Sequence, residues 1–266
     1  MVEIISSAQN PKVKRLMELQ QKSQERRRSG LFVVEGRREI ERCINRGYQV
    51  DTLFWCPDIF GEEEPQADGA RIYAVTADLY NKVAYRGGTE GVIAEVKMQT
   101  HRLEDLKLQK KPLVVVLESV EKPGNVGAVL RSADAANVDA VIVCDPLTDL
   151  YNPNLIRASV GAFFSVPTIA CTSEECIQWL KANGIRILTA QLQNSHYYYE
   201  TDMVSPTAIV MGTEATGLTN KWRETADAHI KIPMLGIGDS LNVSVSAAIL
   251  MFEAVRQRQH PTVKSI

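Results

Sequence analysis

Histidine is scarce in this chain and paired cysteines are absent, which limits its chemistry. The 266 residues hold four histidines and five cysteines, and no two cysteines form a C-x-x-C pair. Cys171 and Cys176 lie far in sequence from other cysteines and histidines, so no zinc site and no bound metal are expected. Cys144 falls in an apolar run and is interpreted as a small buried hydrophobic residue.

The four histidines also give little support to a nucleophilic triad. His101 lies in a polar stretch, His260 lies in the tail, and His229 begins a predicted strand. His196 precedes three tyrosines. That aromatic run is either a surface that stacks on bases or a loop packed on its own domain, and packing is favoured.

Long apolar runs and nucleotide-binding motifs are missing as well. No run approaches the ~18 apolar residues of a membrane helix, and the first residues lack the build of a signal peptide. The predicted strand 113–117 is not followed by G-x-G-x-x-G, and no G-x-x-x-x-G-K-S/T occurs. We therefore expect a soluble, cytoplasmic protein that is neither a Rossmann dehydrogenase nor a P-loop enzyme.

Charge is nearly balanced overall but unevenly distributed. The net charge is −2, whereas residues 1–50 carry 11 Lys and Arg against 6 Asp and Glu. Such asymmetry fits either a polyanionic partner or an ordinary solvated helix face.

Strand-like and helix-like segments alternate and predict an α/β protein. The first part shows helices at 11–29, 35–45 and 77–83, and strands at 31–34, 50–56, 71–75 and 92–96. The second part shows strands at 113–117, 140–144, 166–170, 185–189, 208–211 and 229–232, and helices at 125–136, 154–162, 173–183 (with Ser173 as N-cap) and 240–257. The uninterrupted apolar strand 113–117 indicates a parallel sheet with helices on both faces. We expect domains at 1–96 and 112–266, joined by a polar linker at 97–111.

Three runs carry the functional signal: 123–133, 211–218 and 232–248. Each joins a strand-like stretch to a helix-like stretch through glycine and small polar residues, where backbone groups are free to bind ligands. Arg131 could orient a polar or anionic substrate, or could form a surface ion pair with Asp134 or Asp139. Glu214 could pair with Arg131 or bind a ligand, or could be a carboxylate that only caps the next helix. Asn125 and Asn242 could bind a substrate or simply cap helices.

In order and spacing these runs resemble the three motifs of the SpoU (TrmH-like) RNA ribose 2′-O-methyltransferases. Residues 123–133 match the first motif throughout. In the second motif Thr213 and Ala215 depart from the usual residues, which leaves the loop conformation open, and in the third motif Ser246 replaces Ala. Residues 5–11 and 32–36 are similar to a ribosomal-protein-like substrate-binding domain, which would give the basic N-terminal helix a role in gripping RNA phosphates.

The resemblance implies a trefoil-knotted SPOUT-type fold, S-adenosylmethionine as cofactor, an RNA substrate, with ribosomal RNA favoured over transfer RNA, and a homodimer. The implied cofactor-binding residues are Ala190, Leu192, Met211, Gly212, Gly217, Ile232, Met234 and Leu241. The implied catalytic residues are Arg131, Asn125, Glu214, Ser240 and Asn242. A dimer face is expected on the last helix at Leu241, Val245, Ala248, Ile249, Phe252 and Val255. A transfer RNA methyltransferase, a non-catalytic RNA-binding module and a small-molecule α/β enzyme stay open as alternatives.

Overall fold

The computed structural model describes residues 3–85, 90–213, 215–238 and 240–259. Its contacts divide the chain into two compact units. One comprises residues 1–100 with 151–164, and the other comprises 101–150 with 165–266. Within the described ranges, no helix is both long enough and apolar enough to cross a membrane.

The first unit contains a mixed five-stranded sheet in the order β1-β4-β3-β5-β2. Its strands are β1 (Ile4–Ile5), β2 (Leu31–Glu35), β3 (Val50–Trp55), β4 (Arg71–Val75) and β5 (Val92–Lys97). Its helices are α1 (Pro11–Gln21), α2 (Ser23–Ser29), α3 (Arg37–Asn45), α4 (Pro57–Phe60), α5 (Ala77–Val83) and α7 (Pro153–Ala158). Strand β5 is antiparallel to both β2 and β3, while β4 is parallel to β1 and β3.

The single basic helix predicted over 11–29 is wrong, because the chain forms two helices there. Lys22 has extended backbone angles (φ −112°, ψ 111°) and separates α1 from α2. The break changes which cations face solvent. Arg26 is buried and donates to the Leu19 carbonyl, whereas Lys14 and Arg27 are exposed and make no ion pair among the described residues.

The predicted domain division differs from the structure at residues 151–164, which pack within the first unit. The Tyr151 ring lies 4.6 Å from that of Phe32, and its hydroxyl donates to the Gln99 carbonyl. The helix predicted over 154–162 ends at Ala158, because Val160 and Gly161 both have positive φ. An aromatic cluster that sequence periodicity does not reveal therefore holds this segment.

The second unit contains a seven-stranded sheet in the order β10-β12-β9-β11-β6-β7-β8, and every pairing is parallel. Its strands are β6 (Leu113–Glu118), β7 (Ala140–Cys144), β8 (Thr168–Cys171), β9 (Arg186–Ala190), β10 (His196–Tyr197), β11 (Thr207–Met211) and β12 (Ala228–Lys231). Its helices are α6 (Pro123–Ala135), α9 (Ser173–Ala182), α10 (Asn220–Thr225) and α11 (Val243–Gln259), while α8 (Ala162–Ser165) spans the boundary between the units. Every residue of β6 is buried, which confirms the expected parallel sheet covered on both faces. The knot stays a prediction.

Three helix starts in this unit differ from the predicted ones. Thr172, and not Ser173, caps α9, since its side chain accepts from the Glu175 N–H while Glu175 accepts from the Thr172 N–H. Helix α6 begins at Pro123, so Asn125 lies inside its first turn and is not its cap. Helix α11 begins at Val243, three residues later than predicted.

The cap of α9 gives a stability test. Replacing Thr172 with Ala removes the side-chain acceptor and should lower the free energy of unfolding by about 1 kcal/mol, whereas Thr172→Ser should keep most of it. Urea unfolding followed by circular dichroism measures both variants. Equal stability of the Ala and Ser variants would contradict this assignment of the cap.

Candidate active site

The loops that follow β9 and β12 form one wall of a cleft, and the chain entering α11 forms the other. Its volume is about 150 Å³, and it opens to solvent. Six residues that the sequence singled out line it: Ala190, Leu192, Ile232, Met234, Ser240 and Leu241. Side chains from three separate stretches of sequence therefore converge on one site.

The cleft also contains a buried acceptor that the sequence analysis did not single out. The Gln191 side chain donates to the Gln193 carbonyl over 2.9 Å, but its Oε1 has no hydrogen-bond partner within the described part of the chain. A buried polar atom without a partner is costly. A ligand carrying N–H or O–H donors would therefore fit this wall.

Met211, Gly212 and Gly217 do not line this cleft. Met211 is buried at the end of β11, and the two glycines form the base of the loop that follows it. Thr213 and Gly217 exchange backbone hydrogen bonds of 3.3 and 3.0 Å. A Cβ on Gly212 would lie 2.3 Å from the carbonyl carbon and oxygen of Gly217, so only glycine allows this approach.

Thr213 occupies one of the positions at which the second motif departs from the usual pattern. Its hydroxyl accepts from the Thr216 N–H over 3.0 Å and lies 2.8 Å from the Thr216 hydroxyl. A short polar side chain can bridge a turn in this way. The substitution therefore keeps a local loop closure. The predicted catalytic residue Glu214 lies outside the described residues.

Asn242 joins the first and third motifs. Its Nδ2 donates to Asn125 Oδ1 over 3.2 Å, and its Oδ1 accepts from the Ser244 N–H over 2.9 Å. Asn242 therefore caps α11 and holds the start of that helix against α6. A second cavity opens beside this bond, with Asn125, Thr213 and Val243 in its lining.

Arg131 lies on α6, two turns after Asn125, and is exposed. It makes no hydrogen bond or ion pair with any residue that the structure describes. The Asp139 carboxylate, which could have paired with Arg131, instead accepts hydrogen bonds from the backbone N–H groups of Gln109 and Leu113 over 2.8 Å each. The ion pairs with Asp134 or Asp139 are therefore not formed.

The sequence analysis missed a buried carboxylate beneath the motif loops. Glu118, at the end of β6, is 2% exposed. Its oxygens accept the Thr219 N–H over 2.8 Å and the Thr219 hydroxyl over 2.7 Å. Thr219 directly follows the second-motif loop, so Glu118 holds the end of that loop to the centre of the sheet. The sequence did hold a signal for this residue, because Glu118 directly follows the five apolar residues 113–117 of a buried strand.

His229 and the tyrosines at 197–199 lie apart from the cleft lining. His229 Nδ1 lies 2.6 Å from the Thr189 hydroxyl on the neighbouring strand, so the contact of this histidine is structural. The rings of Tyr197 and Tyr199 stack at 5.4 Å and stay partly exposed. Packing of this run onto the domain, which the sequence favoured, is therefore incomplete.

The contact between Gly212 and Gly217 gives a sharp steric prediction. Gly212→Ala should lower the free energy of unfolding by about 1–3 kcal/mol, the usual cost of forcing extra atoms into packed structure. Gly236→Ala is the matched control, because a Cβ there meets nothing within 4 Å. Urea unfolding of both variants provides the measurement, and a Gly212→Ala protein as stable as the control would contradict the observed packing.

Comparison with known proteins agrees with this geometry. The SpoU rRNA Methylase family model matches residues 112–252, more than half of the chain, and the MRM3-like substrate binding domain matches residues 10–94. The 23S rRNA (guanosine-2′-O-)-methyltransferase RlmB of Vibrio parahaemolyticus is 36% identical over 84% of this chain and 91% of its own length.

Solved structures agree as well. An AdoMet-bound rRNA methyltransferase from Sinorhizobium meliloti superposes with a TM-score of 0.87 at 28% identity, covering 96% of this chain and 98% of its own. A TrmH/SpoU tRNA modifying enzyme from A. aeolicus superposes with a TM-score of 0.51 at 30% identity, covering 58% of this chain and 78% of its own. With the family model spanning the three motifs and relatives spanning nearly the full length, this chain belongs to the SpoU rRNA methylase family.

Proposed function

We propose that this chain methylates a ribose 2′-hydroxyl of ribosomal RNA, with S-adenosylmethionine as the methyl donor. The observation that carries the proposal is the convergence of the third motif and the loop after β9 on one cleft, beside the bond that joins Asn125 to Asn242. The RlmB relative and the AdoMet-bound structure are named for this substrate class and this cofactor.

The cleft beside β9 and β12 is the site that we assign to the cofactor. Its apolar lining at Leu192, Ile232 and Leu241 would cover the adenosine, and Gln191 Oε1 would accept from one of its donors. Met211, Gly212 and Gly217 would act indirectly, by shaping the adjoining loop. When bound, the cofactor supplies a methyl group already activated on a sulfonium, so the protein's task is to position and activate the hydroxyl.

Arg131 is the residue that we assign to hydroxyl activation. Its guanidinium is exposed and unpaired among the described residues, so it is free to contact the 2′-hydroxyl and a neighbouring phosphate. Arg keeps its proton in proteins. We therefore assign it stabilisation of negative charge developing on the 2′-oxygen, with the hydroxyl proton passing to phosphate or water.

The other candidate residues position this chemistry. The side chains of Asn125 and Asn242 are hydrogen-bonded to each other and would fix the start of α6 relative to the third motif. Ser240 lines the cofactor cleft and would shape its opening. Glu214 would hold Arg131 or the neighbouring loop.

Ribosomal RNA is favoured over transfer RNA by the extent of the similarities. The ribosomal RNA relatives match both units, while the tRNA modifying enzyme covers 58% of the chain. The first unit matches a substrate-binding domain and exposes Lys14 and Arg27, which are suited to phosphate contacts.

Arg131→Ala should abolish methyl transfer and leave cofactor affinity nearly unchanged, because Arg131 is not part of the cofactor cleft. Arg131→Lys should also fail largely, since Lys keeps the charge but loses the planar fork. Single-turnover transfer of labelled methyl to ribosomal RNA, with calorimetric titration of the cofactor, measures both properties.

Asp134→Ala, one turn further along α6, is the matched control and should keep its activity. Retained turnover in Arg131→Ala would refute the assigned role. Faster labelling of transfer RNA than of ribosomal RNA by the unaltered protein would instead overturn the proposed substrate.

We also propose that the protein is a homodimer through α11. None of the six residues expected on the dimer face is fully buried, and Leu241, Val245 and Phe252 are 40%, 46% and 47% exposed. Five of these positions form a continuous apolar stripe along α11, and Leu241 lies just before the start of the helix; such a stripe is typical of an interaction surface.

Phe252→Glu should convert the dimer to a monomer at micromolar concentration, because it places a charge in an apolar interface. Ile44→Glu, at another partly exposed apolar position, should leave the mass unchanged. Light scattering measures both. An unaltered protein that is monomeric would contradict the proposal.

A further inference from the structure

Three cysteines that are far apart in sequence meet in the second unit. The sulfur atoms of Cys144, Cys171 and Cys176 all lie within 4.8 Å of one another. The expectation that Cys171 and Cys176 are remote from other thiols is therefore wrong, because the parallel register pairs Cys144 directly with Cys171. We call these three residues the thiol cluster.

Rigid elements hold the thiol cluster. Cys144 ends β7, Cys171 ends β8, and Cys176 lies one turn into α9, whose start is fixed by the box between Thr172 and Glu175. Cys144 and Cys176 are fully buried, while Cys171 is partly exposed and provides the route to solvent. The remaining cysteines, Cys43 and Cys56, are buried in the first unit and belong to no such group among the described residues.

We propose that the thiol cluster binds one zinc ion through three thiolates. Sulfurs on a tetrahedral zinc lie roughly 3.8 Å apart, given a Zn–S distance of about 2.3 Å, so small side-chain adjustments bring the three sulfurs to that spacing. Water would complete the coordination, since Cys171 is partly exposed.

The surroundings favour thiolate at Cys171 alone. Hydrogen bonds from the Cys144 and Cys176 thiols lower the pKa of Cys171, whereas hydrogen bonding within the cluster and burial raise the pKa of Cys144 and Cys176, so zinc must displace the protons of these two thiols. The amino end of α9 adds a positive partial charge near Cys176. Binding of zinc releases the thiol protons, so the affinity should fall as the pH is lowered.

The cluster is separate from the cofactor cleft, although Cys144 pairs across the sheet with Glu118, beneath the second-motif loop. In the sheet order, β11 and β6 lie between β9 and β7, so three strand spacings, roughly 14 Å, separate the cleft from the cluster. Zinc here would cross-link two strand ends and a helix. It should raise stability and leave methyl transfer unchanged.

The test uses the full-length reduced protein without an affinity tag. Co²⁺ serves first as a spectroscopic probe and should give a thiolate-to-metal charge-transfer band that titrates to one equivalent per chain. Zn²⁺ should displace it, and one equivalent of Zn²⁺ should raise the melting temperature. Absence of the band in the unaltered protein overturns the proposal.

Cys171→Ser tests the site at its most exposed ligand, where the change is least disruptive to folding. It should lose the band and the zinc-dependent rise in melting temperature. Cys43→Ser, the matched control, should keep both. A band that persists in Cys171→Ser, or that disappears in a folded Cys43→Ser protein, also overturns the proposal, and neither result bears on the methyltransferase assignment.

Discussion

The arrangement of the motif loops depends on a buried carboxylate at the centre of the parallel sheet. Glu118 ends β6 and binds the backbone and the hydroxyl of Thr219, at the point where the chain leaves the second-motif loop. A buried charge is tolerated only when hydrogen bonds satisfy it. The Thr219 contacts supply them, and they fix the end of that loop. The close approach of Gly212 to Gly217 fixes its beginning.

The rest of the site is held together by side-chain hydrogen bonds and by neighbouring residues of the third motif. Asn242 binds Asn125 and also caps α11, so the position of the last helix is coupled to the start of α6. The residue before Asn242 lines the cofactor cleft, and the residue after it lines the second cavity. Residues 241–243 therefore run from the lining of the cofactor cleft to the lining of the second cavity. Such coupling can hold reacting groups in register without a rigid lid.

The sequence was sufficient to predict most of the second unit, and its failures have physical causes. Strand β7 was predicted because apolar runs report local structure, whereas the convergence of Ala190, Ile232 and Leu241 was implied by the resemblance to the SpoU motifs. The break at Lys22 was missed because the residue is an ordinary helix former. The packing of Tyr151 on Phe32 and the meeting of the three cysteines were missed because both depend on contacts between distant segments.

The most direct test of the central claim is a comparison of ribose methylation in cells with and without this protein. A 2′-O-methyl group blocks alkaline cleavage of the adjacent phosphodiester, so sequencing of alkaline fragments maps every such site. Loss of a methyl mark from ribosomal RNA in the deleted strain, restored by the unaltered chain, is the predicted result. Ribosomal RNA with identical marks in both strains, or a mark lost only from transfer RNA, would contradict it.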